Sequence, residues 1–195
     1  MRTLIAIEFV SVDGVMQGLG SPDEDREGGF EHGGWGAPFA EAIHASSGSS
    51  ALGGTTAYLF GRKTYEKMAT YWPYQPSSNP IAAHMNTTPK HVVSNTLTTV
   101  TWENTSLLTG AACDAVSELK HTGDGSIAIL GSGVLVRDLL RADLVDTLRL
   151  FVHPLVLGSG KRLFGDLDTP RSLTLTTCET TPMGSLAITY DVTSR

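Results

Sequence analysis

Residues 126–140, SIAILGSGVLVRDLL, restrict what this chain can fold into more than any other stretch. Ile127, Ala128, Ile129 and Leu130 form an apolar run, β-branched at both isoleucines, short enough for a buried strand and closed by Gly131. After Gly131-Ser132-Gly133 the period changes. Val134, Leu135, Leu139 and Leu140 are apolar, whereas Arg137, Asp138 and Arg141 fall mostly on the other face at helical spacing. A buried strand thus turns over two glycines straight into a helix. Such a turn leaves the first amides of the helix unpaired at the positive end of its macrodipole, where an anion, phosphate above all, can bind.

The same transition occurs earlier in the chain. Ala57, Tyr58, Leu59 and Phe60 form an apolar strand that meets Gly61, and a helix is predicted from Arg62 through Thr64, Glu66 and Met68 to about Tyr71. Residues 3–12 are rich in Ile, Val and Phe, with Glu8 the only charged interruption, and predict a first strand at the centre of a sheet. It ends at the turn pair Asp13-Gly14. Residues 14–38 shift abruptly to Gly, Asp and Glu and predict a long mobile loop. Its aromatic members Phe30 and Trp35, with Phe39 just beyond, fit a lid or pocket wall, or packing onto the core surface.

Residues 38–47 fit a short helix, and residues 46–56 are too rich in Gly and Ser to assign. Three prolines make residues 72–80 a loop, and residues 81–86 allow at most a short helix. Residues 91–94 predict a third strand ending at Asn95, followed by short strands over 99–102 and 106–108 and a helix over 111–121. Residues 147–157 read as an apolar strand broken by Pro154, and residues 172–179 and 185–192 as an antiparallel hairpin. Strands alternating with helices, then a hairpin, predict a single α/β domain over residues 1–195. Its central sheet is mostly parallel, flanked by helices, with an antiparallel C-terminal edge.

A chain of 195 residues, 41% hydrophobic, suits one domain with a real core. A formal charge of -6 and the lack of a long basic run argue against nonspecific nucleic-acid binding. No signal peptide and no apolar run of membrane-spanning length is visible, so a cytoplasmic protein is expected. Cys113 and Cys178 form no CxxC and are expected as two core thiols. The histidines, His153 among them, show neither HExxH nor close ligand spacing, and no metal site is expected. A serine hydrolase is disfavoured because no GxSxG elbow is present.

Three strand ends carry polar equipment that can converge where open α/β sheets bind ligands: Gly61-Arg62-Lys63-Thr64, Ser94-Asn95 and Gly131-Ser132-Gly133. Arg62 and Lys63 stand in the first turn of a helix, where cations oppose the macrodipole. An anionic partner explains them, and so does ordinary surface solvation. The dinucleotide fingerprint fails because Val136 stands where its third glycine belongs. A phosphate loop around Gly160-Lys161 fails because Leu155 and Arg162 occupy the glycine and hydroxyl positions, although Lys161 or Arg162 can still meet an anion. Asp13, where a buried strand opens into the long loop, is the candidate for acid–base work, with a plain turn aspartate as the alternative.

Taken in order, SVDGVMQ, LFGRKTYE, VVSNT, AILGSGVLVRDLL and LFVHPLVLGSGKRLF resemble the dihydrofolate-reductase-like family. They are most similar to the C-terminal reductase domain of the bifunctional riboflavin-biosynthesis deaminase-reductase and its small stand-alone relatives. The resemblance covers nearly the whole chain. It implies NADPH as cofactor, with Gly61, Arg62, Lys63, Thr64, Ser94 and Asn95 around the adenosine 2'-phosphate. Gly131, Ser132, Gly133, Val134 and Leu135 would lie at the pyrophosphate. It also implies a pterin-like or pyrimidine-like heterocyclic substrate, such as the uracil-type riboflavin precursor, and a possible homodimer. Glu41 matches the substrate-gripping carboxylate of dihydrofolate reductase too loosely to carry that role. Trp35 and Trp72, with Tyr74, are candidates to offer flat surfaces to a heterocycle. A nucleotide-binding or sensing module that retains the cleft without turnover is the competing reading.

Overall fold

The computed structural model describes residues 1–40, 54–165, 167, 169–181 and 183–193. Among the described residues eight strands form one sheet: β1 (Thr3–Ser11), β2 (Thr55–Gly61), β3 (Lys90–Val93), β4 (Thr105–Leu108), β5 (Ser126–Leu130), β6 (Thr147–His153), β7 (Leu173–Thr180) and β8 (Leu186–Val192). Their order is β4-β3-β2-β5-β1-β6-β8-β7. Every pairing from β4 to β6 is parallel, and β8 pairs antiparallel with both β6 and β7. Four described helices flank the sheet: α1 (Arg62–Ala69), α2 (Pro80–Thr87), α3 (Ala112–Lys120) and α4 (Gly133–Arg141).

β1 runs through the middle, as its composition predicts. Leu4, Ala6 and Val10 face a core built with Val116 and Leu119 of α3 and Leu135, Val136 and Leu139 of α4. Ile7, with Ile5 and Phe9, faces the other core, built with Tyr65 of α1 and Met85 of α2. Successive side chains of a strand point to opposite faces, so β1 is covered on both sides.

Several local expectations change. Residues 99–102 form no strand, because the amides of Thr101 and Trp102 donate to the Tyr65 hydroxyl instead of a ladder. Residues 72–80 include a short 3₁₀ turn, Trp72–Tyr74, with Pro73 in a position that needs no amide. Pro80–Thr87 makes a full helix because the Asn79 side chain accepts from Ile81 N and Ala82 N. At its other end the buried Lys90 ammonium donates to the carbonyls of Met85, Asn86 and Thr88. β6 stops at His153, just before Pro154. Of the helix expected over 38–47, the structure gives the 3₁₀ turn Ala37–Phe39; Glu41 and the rest lie outside the described residues. Cys113 is partly buried and Cys178 is exposed on β7, so the second is no core thiol.

The stretch expected as a mobile loop carries a small core of its own: Val15, Phe30 and Trp35, with Leu19, Leu155 and Leu157 packed against them. Backbone bonds fasten it as well, from Gly34 N to Gly18 O at 2.7 Å and from Gly36 N to Leu19 O at 3.0 Å. No described helix is long and apolar enough to cross a membrane.

At the amino ends of the strands, the almost fully buried Lys120 donates to Leu144 O and to Asp146 Oδ2, each at 2.7 Å. The same carboxylate oxygen accepts from Leu4 N. Lys120→Met leaves these acceptors short of a donor and is expected to lower stability by about 2 kcal/mol in urea denaturation.

Candidate functional site

Parallel order brings the carboxyl ends of β3, β2, β5 and β1 to one edge of the sheet. The turns from β2 into α1 and from β5 into α4 touch there. Gly61 N–H donates to Ser132 Oγ at 2.9 Å, and a side-chain carbon on Gly131 would lie 3.6 Å from Thr64 Cγ2. Gly131 and Ser132 are both left-handed, with φ 67° each, a conformation that a non-glycine residue rarely adopts. Ser132 precedes α4 but does not cap it, since its hydroxyl reaches across to β2. No described side chain caps α1 either. The first amides of both helices are therefore left for solvent or an anion. Any side chain at Gly133 would collide with Met16 Sδ, so the loop after β1 closes tightly on this turn.

The two cations at the start of α1 already have partners. Arg62 Nη1 lies 2.9 Å from Glu66 Oε2 one turn on, and Lys63 Nζ lies 2.8 Å from Glu27 Oε2. Glu27 also holds Lys161 Nζ at 2.6 Å, and Asp25 holds that ammonium at 2.7 Å. The long loop is thus strapped across from α1 to the segment after β6. These pairs are substantially exposed, where an ion pair contributes about 0–1 kcal/mol, so a phosphate can replace a carboxylate at little cost. Ser94 and Asn95 are turned inward to their own turn. Ser94 Oγ accepts from Leu97 N at 3.0 Å, and Asn95 exchanges bonds with Gly110 N at 2.7 Å and Gly110 O at 3.0 Å. Lys161 and Arg162 line, with Arg137 of α4, an open hollow of about 430 Å³ beside this edge.

Asp13 is held differently from the expectation of an acid–base group. Its carboxylate accepts from the Ser11 hydroxyl at 2.7 Å, Leu157 N at 3.1 Å and Gly158 N at 2.9 Å. These donors, Ser11 foremost, bring its pKa down to about 2, so it stays ionised and has no proton to give. Its place in the geometry is that of an anchor tying the loop after β6 to the end of β1. Trp35 also departs from expectation. It is buried, donates to Gln17 O at 2.7 Å, and meets His153 edge-on at 5.6 Å, leaving no open face for a flat ligand. Trp72 lies at the wrong end of the sheet. Its carbonyl accepts from Asn86, whose own carbonyl takes donors from Lys90 and Asn104 where β3 and β4 begin. Tyr74, in the same 3₁₀ turn, is exposed.

Two groups that sequence reasoning did not single out as functional stand out. His153 has no exposed surface, bonds Ser185 Oγ through Nδ1 at 2.8 Å, stacks on Phe39 at 4.6 Å, and leaves Nε2 without a partner among the described residues. Burial pushes its pKa down to about 4. Glu8 is also without exposed surface, and neither of its oxygens has a partner among the described residues. A lone charge inside an apolar strand was the available signal for Glu8. For His153 there was only its place before a proline at a strand end.

Residues 2–187 match the RibD C-terminal domain. The chain belongs to that family. It is 27% identical over 136 residues to the uncharacterised protein YyaP of Bacillus subtilis (strain 168), covering 68% of this chain and 71% of that one. A protein of Shewanella sp. PV-4 assigned to riboflavin biosynthesis superposes with a TM-score of 0.70 at 21% identity, covering 100% of both chains. Dihydrofolate reductase from Enterococcus faecalis, solved with NADP(H), superposes with a TM-score of 0.54 at 16% identity over 98% of this chain and 97% of that one. The RibD C-terminal domain seen here therefore has the dihydrofolate-reductase-like fold, with its sheet mostly parallel and its C-terminal pair antiparallel.

Two outcomes follow for this member of the RibD C-terminal domain family. Ser132→Ala removes the bond to Gly61 and keeps the left-handed backbone, costing about 1 kcal/mol in urea denaturation. Ser132→Gly loses the same bond but relieves strain of about 1 kcal/mol, so it is the milder change. For His153, the folded state resists protonation down to about pH 4 while the unfolded chain takes the proton near 6.5. Acidification between those values favours the unfolded state, so stability falls with pH there. His153→Phe is expected to flatten that slope when denaturation is repeated across the same window.

Proposed function

We propose that the chain is an NADPH-dependent reductase that delivers hydride to a pterin-like or pyrimidine-like heterocycle, of the riboflavin-precursor reductase or dihydrofolate reductase type. The observation that carries this reading is the contact of two uncapped helix starts, α1 and α4, on adjacent strands through Gly61 N–H and Ser132 Oγ, in a RibD C-terminal domain. Two sets of free amides beside Arg62 and Lys63 suit a ligand with several phosphates.

The residues present fit the cofactor. Gly131, Ser132, Gly133, Val134 and Leu135 would hold its pyrophosphate on the first amides of α4. Gly61, Arg62, Lys63 and Thr64 would hold the 2'-phosphate, with Ser94 and Asn95 shaping the neighbouring turn. Bound NADPH supplies the hydride. The protein aligns donor and acceptor and keeps water out. Asp13 fastens the loop after β6 to the end of β1 beside this site, through Leu157 and Gly158.

A homodimer and a cytoplasmic setting go with this reading. β7 is an edge strand exposed along all 8 residues, with Leu175 56% exposed, which suits a second copy of the chain. One observation favours the sensing alternative: Asp13, the carboxylate at the end of β1, is ionised and tethered, leaving that position without a proton donor. NADPH binding without oxidation by any pterin or pyrimidine acceptor would be its signature.

In the full chain, replacing Arg62 and Lys63 together by alanine is expected to weaken NADPH by about tenfold or more, with NADH nearly unaffected. Titration of both nucleotides checks this; an unchanged NADPH/NADH preference rejects the assignment.

A further inference from the structure

Glu8 is the one buried acid among the described residues. It lies on the face of β1 that also carries Ala6 and Val10, in the apolar layer closed by Leu135 and Val136 of α4. The parallel register sets Ile7 opposite Leu130 on one side and Glu8 opposite Leu150 on the other. The next residue of the β5 chain beside Glu8 is therefore Gly131, whose amide reaches Ile7 O at 3.4 Å. Gly131 brings no side chain to cover the acid. The chain runs on from Gly131 into the Ser132-Gly133 turn, and Met16, packed against the same core, has its sulfur in the place of a side chain at Gly133.

Burial alone holds the Glu8 carboxyl well above its ordinary value of 4.5, which favours its protonated, neutral form. A neutral acid with no partner still weakens the fold, because its water contacts are lost and nothing replaces them. Leucine, of similar size, would suit this layer without that penalty. Stability therefore gives no reason for a glutamate here, and the reason is to be sought in what binds above it.

We propose that the Glu8 carboxyl group is the floor of the cofactor cleft and hydrogen-bonds a hydroxyl or carboxamide of the bound dinucleotide beneath the Gly131-Ser132-Gly133 turn. The inference rests on the NADPH reading. A protonated carboxyl offers a donor and an acceptor together, the complement of a ribose hydroxyl or a primary amide. Met16 is the cover. Its unbranched side chain can leave the space over Gly133 by rotation about its own bonds.

The test compares wild type, Glu8→Leu and Glu8→Gln in the full chain by thermal unfolding and by titration with NADPH and with adenosine 2',5'-bisphosphate. The bisphosphate carries only the adenosine half of the cofactor. Glu8→Leu is expected to raise the unfolding temperature, weaken NADPH by about tenfold, and leave the bisphosphate unchanged. Glu8→Gln, which keeps a neutral donor and acceptor, is expected to retain most of the NADPH affinity. Infrared difference spectra of the wild type should show a protonated-carboxyl band, absent from Glu8→Gln, that moves to lower frequency when NADPH binds. NADPH affinity unaltered in Glu8→Leu, or a carboxyl band that does not move, overturns the role of Glu8 and leaves the cofactor reading standing. Wild type that binds neither NADPH nor the bisphosphate overturns both.

Discussion

The parallel pairing of β1 between β5 and β6 is the constraint on which the rest of the molecule depends. It buries β1 on both faces and sends its carboxyl end to the edge where β2, β5 and β3 also finish. The long segments that follow β1 and β6 are stitched together there. Val12 N bonds Leu155 O at 2.9 Å, Met16 N bonds Lys161 O at 2.9 Å, and Val15 pairs with Arg162. Asp13 completes the seam with its bonds to Leu157 and Gly158. A central strand whose ladder is satisfied on both sides gives loops a rigid base, and that permits a long irregular segment in a domain of this size.

The site combines firm and exchangeable electrostatics. Asp13 is bound by three donors and stays ionised, so it acts as a fixed tether. Glu27, by contrast, joins Lys63 and Lys161 through ammonium groups that remain substantially in water. The first arrangement resists displacement, while the second offers cations that an incoming phosphate can share. At the same edge the left-handed Ser132 has its strain offset by the bond to Gly61, which joins the two turns there.

Legibility differed between elements for physical reasons. The strand-glycine-helix transitions at Gly61 and Gly131 were readable because the apolar period changes abruptly at each glycine. Residues 99–102 misled because a Thr- and Val-rich run suits a ladder, whereas the Tyr65 hydroxyl takes the amides of Thr101 and Trp102. Trp72 misled because an aromatic residue in a proline-rich loop carries no sign of which end of the sheet it will reach. Asp13 was placed correctly at the end of β1, but its donors Leu157 and Gly158 come from 144 and 145 residues away. No local pattern contains them.

By itself, the sequence determined the α/β class, the central strand, both glycine turns and the family, since each is written in local period and motif order. Only the tertiary structure decided which polar groups are spent and which are left over. It turned Trp35 inward and tethered Asp13. It paired Lys63 with Glu27, and it left Glu8 and His153 Nε2 without partners among the described residues. The physical reason is that desolvation and hydrogen-bond satisfaction depend on neighbours brought together across the whole chain, whereas periodicity depends only on the residue a few places away.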